Sequence, residues 1–318
     1  MPAPLITIFG ATGAQGGGLA RNILARSKAD YRVRAVTRKP DSDAAQELKQ
    51  LGAEVVVADL DDPASVQRAM ADSHGVYCVT NFWEHFSPER ELKQADTMAE
   101  AAKRAGVAHV VWSTLEDTRR FLPADGKRMP VLMGTYNVPH FDAKGEANRL
   151  FTDRELPVTL LHTSFYWDNL IHFGMGPQRG PDGNLIFVLP MADKPLPGIA
   201  VADIGACAAG IFRTPSWIGQ SVGIAGEHIT GAEMASALSR TFNEPVTYVP
   251  MAPADYAKLG FPGADDLANM FQFKVEFNDA FCAARPPAES KALNPQLQNF
   301  EAWLVGAGAQ IKVPPKAG

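Results

Sequence analysis

Cysteine is scarce: Cys78, Cys207 and Cys282 are the only three in 318 residues, far apart and in no C-x-x-C pair. Their spacing excludes a local disulfide framework and a zinc knuckle, and it fits a reducing, cytoplasmic setting. An excess of positive charge is missing too. Thirty Lys and Arg stand against 35 Asp and Glu, a formal net charge of −5, so direct nucleic-acid binding, which draws on a basic surface, is not expected. Long unbroken apolar runs are also lacking. The longest, residues 198–212, is interrupted by Asp203, and residues 1–4 lead into an apolar strand pattern without a basic leader. Neither a membrane span nor a signal peptide is therefore expected.

What is present is a rhythm. Hydrophobic residues at 46% and charged residues at 20% are globular proportions, and at ~100–200 residues per domain the length suits one large α/β unit or two domains sharing a cleft. Short β-branched runs at residues 5–9, 31–37, 53–58, 75–80, 107–113 and 158–161 alternate with helix-length segments. Leu92, Ala95, Ala99 and Ala102 mark one face of such a helix over residues 88–105. Six strands with five crossovers predict an α/β fold with a Rossmann-type, doubly wound parallel sheet. Past Thr163 the alternation weakens, and Pro and Gly gather between residues 174 and 198. Thr230 with Glu233 forms a capping box that opens a helix to about Asn243. Pro295 is expected to open the last helix, to about Val305, and the Gly- and Ala-rich tail from Gly306 to fray.

The strongest local signal is the string LITIFGATGAQGG at residues 5–17. Gly10, Gly13 and Gly16 follow a strand and open a helix, spaced G-x-x-G-x-x-G rather than G-x-G-x-x-G. Gly10 permits the tight turn, Gly13 lets backbone N–H groups approach a pyrophosphate, and Gly16 allows close helix–strand packing. The second strand ends Val36-Thr37-Arg38-Lys39, with no acid at its tip to hold ribose hydroxyls. Two cations there suit a 2′-phosphate, so NADP(H) is expected over NAD(H). Asp59, after the third strand, is placed to meet adenine, and Thr80, Asn81 and Phe82, after the fourth, to line the middle of the cofactor.

A Tyr-x-x-x-Lys pair, the usual proton donor and ribose ligand of hydride-transfer enzymes of this architecture, does not occur before the sixth strand. His140 and Lys144 hold that spacing instead. Lys144 is a candidate ribose ligand. His140 is a candidate acid whose ordinary pKa is near neutrality and which a neighbouring ammonium would push toward the neutral form. Ser113 ends the fifth strand and faces the same crevice if the topology holds. Phe165, Tyr166 and Trp167, just beyond the sixth strand, are candidates to wall a substrate pocket. Trp83, Glu84, His85, His162 and His172 form no ligand set at helical or hairpin spacing, so no metal site is expected.

With these residues in hand, the chain resembles the NmrA-like family of atypical short-chain dehydrogenase/reductase proteins and, within it, the NADPH-sensor subgroup. The likeness rests on FGATGAQGG, the VTRKP turn, VTNFWE at residues 79–84, HFDAKGE at residues 140–146, and DYAKLGFPGADDLANMF at residues 255–271. The resemblance implies a Rossmann domain over residues 1–163, with later strand contributions from residues 185–225, and a smaller, mainly helical domain over residues 164–318. By position it implies that Gly10, Thr12, Gly13, Ala14, Gln15 and Gly16 hold the pyrophosphate and Arg38 the 2′-phosphate. Asp59 and Leu60 would hold the adenine, Asn81 and Phe82 the centre of the cofactor, and Lys144 the nicotinamide ribose. Asp41, Ser42 and Asp43 occupy a stretch that is often more basic in the sensor subgroup.

Two functions follow from this resemblance. The first is an NADP(H)-binding redox sensor, with residues 82–88 and 121–139 as its moving parts and a homodimer or a regulatory protein as its partner. The alternative is an NADPH-dependent reductase of a quinone or a small apolar carbonyl or enone. In that case Phe165, Tyr166 and Trp167 form the pocket, and residues 117–139 are expected to act as a lid.

Overall fold

The six apolar runs form strands because each is bounded by a helix cap or a turn that ends the extended segment. In the computed structural model, which describes residues 3–26 and 30–315, the first part of the chain runs β1 (Leu5–Ile8), α1 (Ala14–Arg26), β2 (Arg32–Thr37), α2 (Asp43–Leu51), β3 (Glu54–Val57), α3 (Pro63–Met70), β4 (Gly75–Cys78), α4 (Pro88–Ala105), β5 (His109–Thr114), α5 (Pro139–Thr152) and β6 (Val158–His162). Helix α4 shows the local logic. Ser87 accepts from the Arg90 N–H, Pro88 sits in the first turn, and Gly106 closes the helix in the left-handed region at φ 63°, a conformation that costs glycine little.

The chain continues with β7 (Phe165–Tyr166), α6 (Asn169–His172), β8 (Gln178–Arg179), β9 (Leu185–Val188), β10 (Leu196–Ile199), α7 (Val201–Phe212), β11 (Ser221–Gly223), β12 (Glu227–Ile229), α8 (Gly231–Phe242), β13 (Val246–Val249), α9 (Pro253–Ala257), α10 (Ala264–Glu276), α11 (Asn278–Ala283), α12 (Pro287–Leu293) and α13 (Phe300–Val305). The main sheet has the order β11-β6-β5-β4-β1-β2-β3, and all of its pairings are parallel. It has one strand more than the six apolar runs predict. Strand β11 is three residues long and ends in glycine, so no periodicity announces it; pairing with β6 alone makes it a strand.

Side chains alternate across the sheet. Ile6, Ile8, Tyr77 and Val111 enter a core with α1 and α7, while Val76, Cys78, Val110 and Trp112 enter another with α3, α4 and α5. Helices α1 and α7 approach closely because Gly18 faces Gly205, where a Cβ would run into the opposing backbone. A third core holds Phe165, Trp167, Phe271, Phe273, Phe300 and Trp303. It lies among α5, α8, α10 and α13 and two three-stranded sheets, β12-β10-β7 and β13-β9-β8.

Two C-terminal expectations need correction. The last helix opens at Phe300, not at Pro295: residues 295–296 form a turn, and the Asn299 side chain caps the helix by accepting the Ala302 N–H. The segment from Gly306 does not fray over its described length. It turns at residues 307–310, buries Ile311 in the third core, and gives the Pro314 carbonyl to Arg179 Nε at 2.9 Å. Residues 316–318 of that tail lie outside the described residues.

Candidate functional site

The strand order reverses between β1 and β4, and the crevice beyond the carboxyl ends of these strands is where an open parallel sheet binds ligands. A cavity of about 1380 Å³ lies there, running from the loop after β1 to helix α10. The loop needs its glycines. Gly10 has φ +64°, and a Cβ on Gly16 would lie 2.5 Å from the Gly10 carbonyl oxygen. Thr12, Gly13, Ala14, Gln15 and Gly16 all line the cavity. Helix α1 starts at Ala14, so its first turn, whose N–H groups lack partners within the helix, stands at the cavity wall.

Gln15 turns its amide toward the sheet. Its Oε1 accepts from Tyr77 Oη at 2.5 Å and from Ser113 Oγ at 2.7 Å, and its Nε2 donates to Tyr166 Oη at 2.5 Å. The glycine loop is thereby tied to β4, β5 and β7. Burial pushes both phenols up, so Tyr77 and Tyr166 stay protonated across the neutral range.

Arg38 and Lys39 leave the tip of β2 and line the outer end of the cavity with Asp59 and Leu60. The Arg38 guanidinium grips Glu84 with two hydrogen bonds, of 2.5 and 2.9 Å, and this pairing holds the Glu84 carboxyl below its ordinary range. Residues 82–86 are thus fastened to the outer end of the cavity. Trp83 and Phe86 press on Gly263, whose φ of +81° and missing Cβ let the chain pass within contact distance of the Trp83 ring.

Asn81, Phe82, His140 and Lys144 line the middle of the cavity. Lys144 is buried, and its Nζ donates to Glu91 Oε1 at 2.6 Å, Thr80 Oγ1 at 2.6 Å and the Thr80 carbonyl at 3.2 Å. Burial alone would raise the Glu91 carboxyl. The Lys144 charge, with hydrogen bonds from His85, Lys144 and Thr80, outweighs burial and holds it at about 2. The i, i+4 pair therefore does not face itself: Lys144 is answered by Glu91, while His140 Nδ1 lies 2.6 Å from Asp266 Oδ1.

The inner end is walled by Phe165, Tyr166, Met270, Phe271, Phe281 and Lys274. Phe173, Leu259 and Phe261 stand exposed at its rim, Phe173 at 75%. Trp167 is not brought there. It is fully buried and packs on Phe300 and Trp303, 5.5 and 6.0 Å between ring centres, because β7 ends at Tyr166 and the chain beyond it turns Trp167 into the third core. Residues 117–139 do not cover the cavity as a lid either, since none of them lines it. Asp142 accepts from the backbone of Thr118, Asn137 and Val138, and Asn269 donates to the carbonyls of Pro130 and Asn137. These bonds stitch the segment onto α5 and α10.

A family model described as the NmrA-like family matches residues 2–304. The chain belongs to the NmrA-like family. Among curated relatives, the NmrA-like family domain-containing oxidoreductase cpsB of Aspergillus campestris is 27% identical over 319 residues, covering 93% of this chain and 91% of the relative. Two solved structures share the fold at 22% identity. One is NmrA, a negative transcriptional regulator, in complex with NADP, with a TM-score of 0.76 over 95% of this chain and 94% of that one. The other is an NADPH-dependent quinone oxidoreductase from Escherichia coli, with a TM-score of 0.71 over 95% and 99%.

Within this NmrA-like cleft, sequence reasoning missed Glu91, Asp266 and Lys274. Glu91 and Asp266 carried no local signal, being acids near helix starts like many others. Lys274 did carry one. It stands at i+3 from Phe271 and at i−3 and i−7 from Phe277 and Phe281, a cation on an otherwise apolar helical stripe.

Proposed function

We propose that this NmrA-like protein is an NADP(H)-dependent oxidoreductase of the cytoplasm that acts on a small apolar, ring-containing carbonyl or quinone compound. The observation carrying this reading is the length of the cavity. It starts at a glycine cradle that a Cβ would fill and continues past Lys144 into a chamber walled by Phe165, Met270, Phe271 and Phe281. The residues fit the cofactor. Gly10 to Gly16 with the α1 N-terminus would hold the pyrophosphate, Arg38 the 2′-phosphate, and Asp59 and Leu60 the adenine. Asn81 and Phe82 would meet the centre of the dinucleotide, and Lys144 the nicotinamide ribose. When bound, the cofactor supplies hydride chemistry. The chain's own share is to orient the nicotinamide through Lys144, a cation that Glu91 keeps in place, and to keep water from the apolar chamber. The names of the relatives support an oxidoreductase.

The test is single-turnover oxidation of bound NADPH, followed at the reduced-nicotinamide absorbance band, with quinones, enones and aldehydes added in turn. Rapid oxidation by one of these classes, slowed at least about tenfold in Lys144→Arg by misplacement of the ribose, is expected. Tight NADPH binding without oxidation by any of them would overturn the reading.

A second reading, the redox sensor, is favoured by one observation: Arg38 is fastened to Glu84, so a 2′-phosphate must compete for the guanidinium that anchors residues 82–86. Occupancy would then loosen the contact of Trp83 and Phe86 with Gly263. Its test is light scattering with and without NADPH, together with partner binding. One unchanged species and no differential binding would sink it.

A further inference from the structure

Lys274 lines the inner chamber, and among the described residues no carboxylate pairs with it. It is 3% exposed. Among the described residues its Nζ has one hydrogen-bond partner, the Met270 sulfur at 3.3 Å, and it stands 5.3–5.6 Å from the ring centres of Phe281, Phe141 and Phe271. The charged groups on the neighbouring elements are already matched. Arg285 and Glu116 hold each other through two bonds of 2.6 and 2.8 Å, His162 approaches Glu116 at 3.8 Å, and on α5 His140 is held by Asp266 and Lys144 by Glu91. Burial and the Arg285 guanidinium, against the opposite pull of Glu116, lower the Lys274 ammonium to about 7. Ser164 Oγ, a buried polar atom with no hydrogen-bond partner among the described residues, belongs to a residue lining the same cavity. A side chain serving packing alone would gain nothing from an amine that burial penalises.

We propose that the inner chamber is a subsite for an aromatic ligand carrying one anionic oxygen group, an aryl carboxylate or an ionised phenol or enol, with the ring among Phe165, Phe271 and Phe281 and the oxygen on Lys274. This adds an anionic anchoring group to the ring-containing carbonyl or quinone substrate of the oxidoreductase and rests on the reading that the chamber takes a small organic molecule. Above neutrality Lys274 is largely neutral. The arriving anion then draws one proton from solvent onto Nζ, forming an N–H bond and leaving a neutralised ion pair.

The test is calorimetry on the full-length protein saturated with NADP⁺, with 2-naphthoate and its neutral analogue 2-acetylnaphthalene as probes, at about pH 8 in buffers of different ionisation enthalpy. Near one proton is taken up per naphthoate, falling toward zero below about pH 6, where Lys274 is already charged. Lys274→Met abolishes the uptake and weakens naphthoate at least about tenfold, the low end for a hydrogen bond to a charged group, and changes 2-acetylnaphthalene by less than about threefold. Naphthoate binding without proton uptake, no naphthoate binding at all, or equal naphthoate affinity in Lys274→Met overturns the proposal. If the variant does not fold, the pH dependence of uptake in the native protein decides alone. NADPH titration of the same protein separates the two readings: failure to bind NADPH sinks the oxidoreductase, while naphthoate-linked proton uptake still reports the subsite.

Discussion

The two walls of the cleft each bury a lysine, and they treat its charge in opposite ways. On the sheet side, α5 brings Lys144 to Glu91 and Thr80, so that a carboxylate and two oxygens of one threonine answer its Nζ. On the helical side, α10 leaves Lys274 among three aromatic rings and one sulfur atom. A buried ammonium with its counterion inside the fold has its charge compensated within the protein. One without a counterion carries its charge only when solvent pH or a ligand provides for it. The first arrangement suits holding a cofactor in place, and the second suits responding to what enters.

The largest test of this contrast is Glu91→Ala, which leaves Lys144 buried and unpaired. A loss of about 3–5 kcal/mol in urea unfolding is expected. The pH dependence follows from the sign of the shift. The Glu91 carboxyl is held at about 2 in the fold, below its unfolded value of about 4.3. Its stabilisation is complete above about pH 5 and is lost as pH falls toward 2, a loss the variant should not show. A change under about 1 kcal/mol would mean that Lys144 does not depend on its partner.

Lys274→Met sharpens the other side. The folded-state ammonium is lowered to about 7 while the unfolded chain keeps it near 10.4, so between these values the unfolded state binds more protons and stability rises with pH. The native protein should gain about 1.4 kcal/mol per pH unit relative to Lys274→Met from about pH 7 upward, some 2–3 kcal/mol by about pH 9, read from paired urea melts. Parallel curves for the two proteins would place the ammonium in water rather than in the aromatic box.

Arg38 offers the smallest test, an exposed pair between these extremes. Its side chain is 48% exposed and that of Glu84 39%, so their contact is screened and contributes little to stability. Glu84→Gln should leave the melting temperature within about a degree while tightening NADPH two- to fivefold, on the order of 0.5–1 kcal/mol, by freeing the guanidinium. Arg38→Ala should cut the preference for NADPH over NADH by about tenfold. Unchanged NADPH affinity in Glu84→Gln would show that the phosphate and Glu84 do not compete.

Much of the architecture was legible. The six runs, the helix over residues 88–105 and the Thr230–Glu233 capping box were readable because each rests on local chemistry: β-branched alternation, side-chain caps and a 3.6-residue period. Of the residues singled out as catalytic, cofactor or substrate candidates, all but Trp167 line one cavity. Trp167 went the other way because it stands past the end of β7 and packs on Phe300 and Trp303, partners far along the chain that nothing in the triplet announces. Residues 117–139 look like a lid when read alone, being rich in Pro, Gly and charge. Buried acceptors and donors elsewhere in the chain, Asp142 and Asn269, pin them down.

The sequence by itself determined the order of the first six strands and the helices between them, the glycine loop and the basic tip of β2, since these depend on neighbours within a few residues. Tertiary structure decided which buried charges find partners. Glu91 meets Lys144 across 53 positions, and Asp266 meets His140 across 126, distances along the chain that no local pattern encodes. It also decided that, among the described residues, Lys274 pairs with the Met270 sulfur and with no carboxylate, because the electrostatics of a buried group are set by whatever the fold packs around it.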